Sequence, residues 1–134
     1  FENDIDKAIN DLFLSKINDS LFNSSLLKNK YLYQNLNLNN SMKIKTLIDS
    51  KIHSTTKNFD FLDLSDSIKE IANKIYVCDK LIVTQIENLP FSLFMHEGAE
   101  LIQIGGNQLI GQKISNLTNL AKFRYCDHLD YCEL

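Results

Sequence analysis

The segment KLIVTQIENLPFSLFMHEGAELIQIGG, residues 80–106, decides the fold class of this chain. It holds two apolar runs, KLIVT and AELIQI, and each ends in a short polar loop that precedes a stretch compatible with a helix. The run NFDFLDL, residues 58–64, has the same layout. Strands that alternate with helices pair in parallel through crossover connections. The pattern therefore predicts an α/β domain with a Rossmann-like parallel sheet of three or four strands.

The loops that follow these three runs form the candidate binding site. Ligands of open parallel sheets bind beyond the carboxyl ends of the strands, so the three loops are expected to line one pocket. This expectation needs Phe61, Ile82 and Ile102 to lie next to each other in one sheet. Bare amides and hydroxyls at helix N-termini suit a phosphate group. The candidate ligand-binding residues are Ser65, Asp66, Ser67, Thr84, Gln85, Gly105, Gly106 and Asn107.

The remaining segments are predicted from apolar spacing and helix-capping residues. Residues 1–40 are expected to form an N-terminal helix and an Asn-rich connection, and residues 41–134 the α/β domain. Ser41 can cap a helix that extends to Ile52, and Pro90 suits the first turn of another helix. A loop and a helix are expected after Gly106. The tail LDYCEL, residues 129–134, is predicted to be a fourth short strand.

Composition excludes several classes of protein. The chain has 134 residues, a formal net charge of −3 and a single arginine, Arg124, which disfavours a free-standing nucleic-acid binder. No apolar run approaches the roughly 20 residues that cross a bilayer. A sheet this small covers its faces poorly, so we expect a homo-oligomer. The first residue is Phe1 rather than Met, which suggests a piece of a longer protein.

The three cysteines, Cys78, Cys126 and Cys132, include no C-x-x-C pair and are odd in number. This usage favours a reducing, cytoplasmic setting, with a bridge between Cys126 and Cys132 as the open alternative. No sequence signature of a cofactor or metal site occurs. Cys126, His128 and Cys132 are too few for a structural zinc site, and His96 with Glu97 lacks the second histidine of H-E-x-x-H.

From residue 45 onward the order of segments resembles the C-terminal sensor domain of DeoR-type transcriptional regulators. Residues 45–52 correspond to a Lys-led helix of the family, and FLDLSDS, residues 61–67, to a strand that ends in a D-x-G-T-T loop. LIVTQ, residues 81–85, corresponds to a strand that ends in V-T-N. ELIQIGG, residues 100–106, and LDYCEL correspond to the two strands that follow.

The resemblance implies a fold related to ribose-5-phosphate isomerase and a non-catalytic domain that senses a phosphorylated sugar. DNA would then be bound only through a flanking domain, since the family's winged helix has no clear counterpart in residues 1–40. Ser65, Asp66 and Ser67 replace the glycine and threonines of the family's first loop, and the charge of Asp66 would repel an anion. Gln85 replaces the usual asparagine.

An alternative interpretation makes residues 67–89 a helix-turn-helix motif, which resembles the DNA-binding part of RpiR-type regulators. In that interpretation residues 78–89 form the recognition helix. Its only cation is Lys80, against Asp79 and Glu87, whereas helices that read bases usually lie among phosphate-binding cations. The helical alternative also leaves the strand pattern of residues 58–64 and 99–106 unexplained.

Overall fold

The computed structural model describes residues 43–66, 68–118 and 121–134, so the N-terminal helix and connection predicted for residues 1–40 lie outside the described part. The described residues form five strands, three α-helices and two 3₁₀ helices. The strands are β1 (Ile44–Ile48), β2 (Asp60–Phe61), β3 (Cys78–Val83), β4 (Ala99–Ile104) and β5 (Ala121–Cys126). The α-helices are α1 (Lys51–Lys57), α2 (Ile68–Val77) and α3 (Gln108–Thr118), and the 3₁₀ helices span Ile86–Phe94 and Leu129–Tyr131.

The strands form one parallel sheet in the order β2-β1-β3-β4-β5. This is one of the two common orders of doubly wound sheets, so the predicted Rossmann-like α/β class is confirmed. The sheet has more strands than predicted because the sequence pattern assigns neither β1 nor β5. Phe61, Ile82 and Ile102 share one row across the sheet, but Ile48 of β1 lies between Phe61 and Ile82.

The helix predicted to extend from Ser41 to Ile52 is wrong. The structure has the strand β1, a bend at Asp49 and then α1. In so short a window an apolar spacing of three and four residues also fits a buried strand. Burial decides between the two, because Leu47 and Ile48 are fully buried in a strand that pairs with β2 and β3. A strand here also departs from the Lys-led helix of the DeoR-type pattern.

The helix-turn-helix interpretation of residues 67–89 is wrong in its second helix. Residues 78–83 form β3, which pairs with β1 on one side and β4 on the other. Leu81, Ile82 and Val83 are almost completely buried. Three consecutive buried apolar residues suit a central parallel strand that is covered on both faces.

Two further predictions need correction. Pro90 does not begin a helix but lies inside the 3₁₀ helix Ile86–Phe94. The last strand of the sheet is β5, which ends before the tail LDYCEL, and residues 129–131 of that tail form a 3₁₀ helix. The sequence of β5, AKFRYC, contains two cations and none of its described side chains is fully buried, so it gives a weaker apolar signal than the central strands.

The crossover directions place helices on both faces of the sheet. The connection from β1 to β2 runs one way across the sheet, and the three later connections run the other way. Because parallel crossovers are right-handed in nearly all proteins, α1 lies on one face, and α2, the 3₁₀ helix Ile86–Phe94 and α3 lie on the other. The buried core accordingly forms two clusters, one on each face of the sheet. Cluster one includes Leu47, Leu81, Leu101, Ile75 and Phe94, and cluster two contains Ile48, Ile82, Ile102 and Leu129.

A disulfide joins Cys126 at the end of β5 to Cys132, with a Cα–Cα distance of 5.7 Å. It resolves the alternative that the sequence leaves open, and the odd number of cysteines no longer argues for a reducing compartment. Cys78 is a free and completely buried cysteine, and burial raises the pKa of its thiol to about 12. Among the described residues, no helix is long and apolar enough to cross a membrane.

Reduction of this disulfide is expected to lower the free energy of unfolding by about 2 kcal/mol, because the bond closes a short loop in the unfolded chain. The loop contains Leu129, which is buried against cluster two. Urea unfolding with and without dithiothreitol measures the effect. The double variant Cys126→Ser/Cys132→Ser is the control and should not respond to the reductant. Equal curves for the unmodified protein in both conditions would contradict the expectation.

Candidate functional site

The predicted binding residues lie in loops at the carboxyl edge of the sheet, but they do not form one cluster. The loop after β3 adjoins the loop after β4, because these strands are paired. The loop after β2 is separated from β3 by β1, a distance of about 10 Å at the usual strand spacing. Thr84 and Gln85 therefore lie beside Gly105, Gly106 and Asn107, whereas the loop that carries Ser65 and Asp66 lies across β1. Ser67 is outside the described residues.

The ends of β1 and β3 form the topological switch point of the sheet. After β1 the chain turns toward β2, and after β3 it turns the other way, toward β4. Loops that diverge in this manner leave a crevice between them, where doubly wound domains bind their ligands. Asp49 and Ser50 follow β1 at this point, and Thr84 and Gln85 follow β3.

Asp49 holds the two sides of the switch point together. Its carboxylate is 2.9 Å from the backbone nitrogen of Thr84, 2.7 Å from the Thr84 hydroxyl, 3.1 Å from the Gln85 nitrogen and 2.9 Å from Nδ2 of Asn88. All four groups donate to the carboxylate. Since Asp49 and Asn88 are both buried, these bonds are shielded from water. The carboxylate thus satisfies the first donors of the turn into the 3₁₀ helix Ile86–Phe94.

Sequence reasoning missed Asp49 because the predicted helix placed it in a helical interior. One signal could have identified it. IKTLIDS, residues 44–50, has the same layout as the other three units, an apolar run followed by polar residues and a helix. A fourth copy of this layout would have predicted both the strand and the polar residue at its carboxyl end.

The loop after β2 is closed by its own side chains. Asp63 accepts hydrogen bonds from the Ser65 hydroxyl at 2.7 Å and the Ser65 nitrogen at 2.9 Å, an Asx-type turn. These bonds, that of the hydroxyl first, lower the pKa of Asp63 below its ordinary value. Asp66 forms an ion pair with Lys74 of α2 at 2.9 Å. The pairing offsets the negative charge that would otherwise repel an anion from this loop.

The glycine turn after β4 leaves one amide available. Gly105 and Gly106 have φ angles of 71° and 74°, a conformation that favours glycine. Nε2 of Gln103 donates to the carbonyl oxygens of Gly105 and Asn107 at 2.9 and 3.0 Å, and Oδ1 of Asn107 caps the Leu109 nitrogen at 3.0 Å. Gly106 is exposed, and within the described part of the chain its N–H has no hydrogen-bond acceptor.

Comparisons with known proteins gave no match. No protein-family model, no curated protein and no solved structure matches this chain. The function proposed below therefore rests on the geometry of the chain's own residues.

The metal-binding and acid–base candidates of the sequence do not form a site at the carboxyl edge of the sheet. The disulfide removes Cys126 and Cys132 as metal ligands, and no group of three metal-binding side chains occurs among residues 43–66, 68–118 and 121–134. His96 precedes β4 and therefore lies at the opposite edge of the sheet, where Nε2 is 3.7 Å from Asp79 and Nδ1 is 2.7 Å from the Glu97 carbonyl oxygen. What remains at the carboxyl edge suits binding by amides and hydroxyls.

Proposed function

We propose that this chain is a non-catalytic effector-sensing domain that binds a small phosphorylated sugar at the carboxyl edge of its sheet. In this proposal it works as the sensor of DeoR-type regulators does, with a fold of the ribose-5-phosphate isomerase type and DNA bound through a flanking segment. The domain also self-associates. Ile52 on α1 and Leu109 on α3 are 75% and 51% exposed, so each face of the sheet offers one apolar side chain to a second copy.

The switch point is the observation that carries this proposal. Of the predicted binding residues, Thr84 and Gln85 follow the strand at which the connections reverse direction. Their backbone amides are committed to Asp49, which makes the crevice wall rigid before any ligand arrives. The exposed side-chain amide of Gln85 remains for a sugar hydroxyl or a phosphate oxygen.

The local charges and donors are compatible with a phosphate. The free N–H of Gly106 precedes α3, a helix of 11 residues whose dipole favours negative charge at its start. The ion pair of Asp66 with Lys74 removes an uncompensated negative charge from the edge. The role is proposed to be non-catalytic because Asp49, Asp63 and Asp66 all hold the loops through hydrogen bonds or an ion pair.

Gln85→Glu is expected to weaken the binding of a phosphosugar at least tenfold. The change keeps the shape of the side chain and adds one negative charge beside the phosphate. The affinity is measured by calorimetry, after a thermal-shift screen of sugar phosphates with the unphosphorylated sugars as references.

Gln112→Glu is the matched control, because Gln112 is an exposed glutamine on α3 whose side chain, among the described residues, bonds only to Asn116 at 3.1 Å. This variant should bind within twofold of the unmodified chain. The proposal is wrong if no sugar phosphate stabilises the protein more than its unphosphorylated sugar. It is also wrong if the two glutamate variants bind equally well.

A further inference from the structure

A second concave site lies near the amino ends of β1 and β2, away from the switch point. It is a pocket of about 310 Å³, within the range of about 300–1,000 Å³ typical of small-molecule sites. Residues from the start of β1, the end of α1, the approach to β2 and the first half of β3 line it, together with Leu134. The register of β1 with β3 places Thr46 opposite Lys80, so these two side chains form part of the same wall.

Three lysines from three different elements line this pocket, and two of them, Lys57 and Lys80, do so from the α1 side of the sheet. Lys45 comes from β1, Lys57 from the last turn of α1 and Lys80 from β3. Asp60 is the only carboxylate side chain in the lining, so the formal charge of the lining side chains is +3 − 1 = +2 in a chain whose net charge is −3. Within the described residues, none of the three ammonium groups is within 4.0 Å of a carboxylate.

Like charges around one cavity repel each other unless an anion joins them. A concave site lined by unpaired cations also concentrates the field and attracts anions. Arg124 on β5 is paired with Glu100 at 3.2 Å and donates to the Glu133 carbonyl oxygen, so its charge is already used within the chain. The three pocket lysines have no such ion pair among the described residues.

We propose that this pocket binds the phosphate group of a small phosphate ester. Lys57 and Lys80 take the phosphate as point charges, and the Thr46 hydroxyl donates a further hydrogen bond. Asp60 and Asn58 provide acceptors for hydroxyl groups on the organic part. The half-buried ring of Phe59 packs against cluster two and supplies an apolar wall. The site is separate from the switch point and does not depend on the function proposed there.

The test uses the whole 134-residue chain with two probes, inorganic phosphate and glucose 6-phosphate, and glucose as the reference. Backbone amide shifts are followed by NMR in a buffer free of phosphate and at low salt. Both phosphorylated probes should shift the amides of Lys57, Asn58 and Asp60, and glucose should not. Tighter binding of glucose 6-phosphate identifies an ester, and equal affinities identify free phosphate as the ligand.

Lys57→Met and Lys51→Met are matched variants, since both remove one exposed lysine from the same helix and only Lys57 lines the pocket. Lys57→Met should weaken phosphate binding at least fivefold, and Lys51→Met by less than twofold. The proposal is overturned if the two variants bind phosphate equally well. It is also overturned if 10 mM of either phosphorylated probe, roughly a millimolar-affinity limit, shifts no amide between Lys57 and Asp60. Shifts confined to Gln85 and Gly106 would support the switch-point site alone and equally overturn this one.

Discussion

Replacement of Asp49 by alanine is expected to lower the free energy of unfolding by about 4 kcal/mol. The carboxylate accepts hydrogen bonds from four donors on Thr84, Gln85 and Asn88, and both Asp49 and Asn88 are buried. Removing a buried acceptor leaves its donors without partners, which costs about 1–3 kcal/mol for each donor that water cannot reach. Thr84 and Gln85 are partly accessible to solvent, so water can accept the hydrogen bonds that their donors lose. The total loss of stability is therefore smaller than the sum over all four donors.

Urea unfolding measures this effect. Asp49→Asn keeps the shape of the side chain and one acceptor oxygen, but its amide group faces other donors. It should lower the free energy of unfolding by less than the alanine variant does, and by more than about 1 kcal/mol, the contribution of about one hydrogen bond. Asp79→Ala is the control, since that side chain is 71% exposed and should change stability by about 0.5 kcal/mol or less. A similar loss for Asp49→Ala and Asp79→Ala would show that the carboxylate does not hold the switch point together.

Gly111→Ala is the second substitution with a large expected effect, a loss of about 2–3 kcal/mol. Gly111 lies inside α3, where alanine normally stabilises a helix by about 1 kcal/mol. A Cβ at this position would lie 1.9 Å from Oε1 of Gln103 and 2.7 Å from the ring of Phe123. Gln103 cannot turn away without breaking its two bonds to the turn after β4. The overpacking therefore outweighs the gain in helix propensity.

Thermal and urea unfolding of Gly111→Ala should be compared with Gln112→Ala, an exposed position one residue along the same helix. Gln112→Ala should be neutral or slightly stabilising, because helix propensity rises and the only hydrogen bond lost among the described residues is the exposed one to Asn116. If Gly111→Ala proved as stable as Gln112→Ala, α3 would have to lie farther from β4 than the structure places it. The same variant should also shift the amide of Gly106, because Gln103 positions that turn.

These expectations involve residues that local sequence patterns describe poorly. β3 and β4 are predictable from the sequence, because Leu81–Val83 and Leu101–Gln103 are central runs that are buried on both faces and bounded by polar loops. The apolar spacing of β1 is ambiguous, since Ile44, Leu47 and Ile48 fit a helix and a strand equally, and only the layout shared with the other units favours the strand. Burial between two neighbouring strands selects the strand, and this depends on segments that are distant in the chain.

The candidate site likewise has features that the sequence shows and contacts that it does not show. The polar loops after β2, β3 and β4 are visible in the sequence as changes in composition, and the glycine turn at Gly105 and Gly106 is a local signal. The residues that contact these loops from distant parts of the chain cannot be recognised in the sequence. Asp49 bonds to Thr84 across 35 residues, and Lys45, Lys57 and Lys80 line one pocket across a similar span.

The sequence by itself determined the α/β class, since alternation of apolar runs with helix-compatible stretches is a local property, and it determined which loops carry polar groups. Only the tertiary structure decided that β1 lies between β2 and β3, and with it the switch point, the role of Asp49 and the separation of the loop after β2 from the others. The physical reason is that strand order follows from competition for buried positions among all strands at once. No single segment contains the information for that competition.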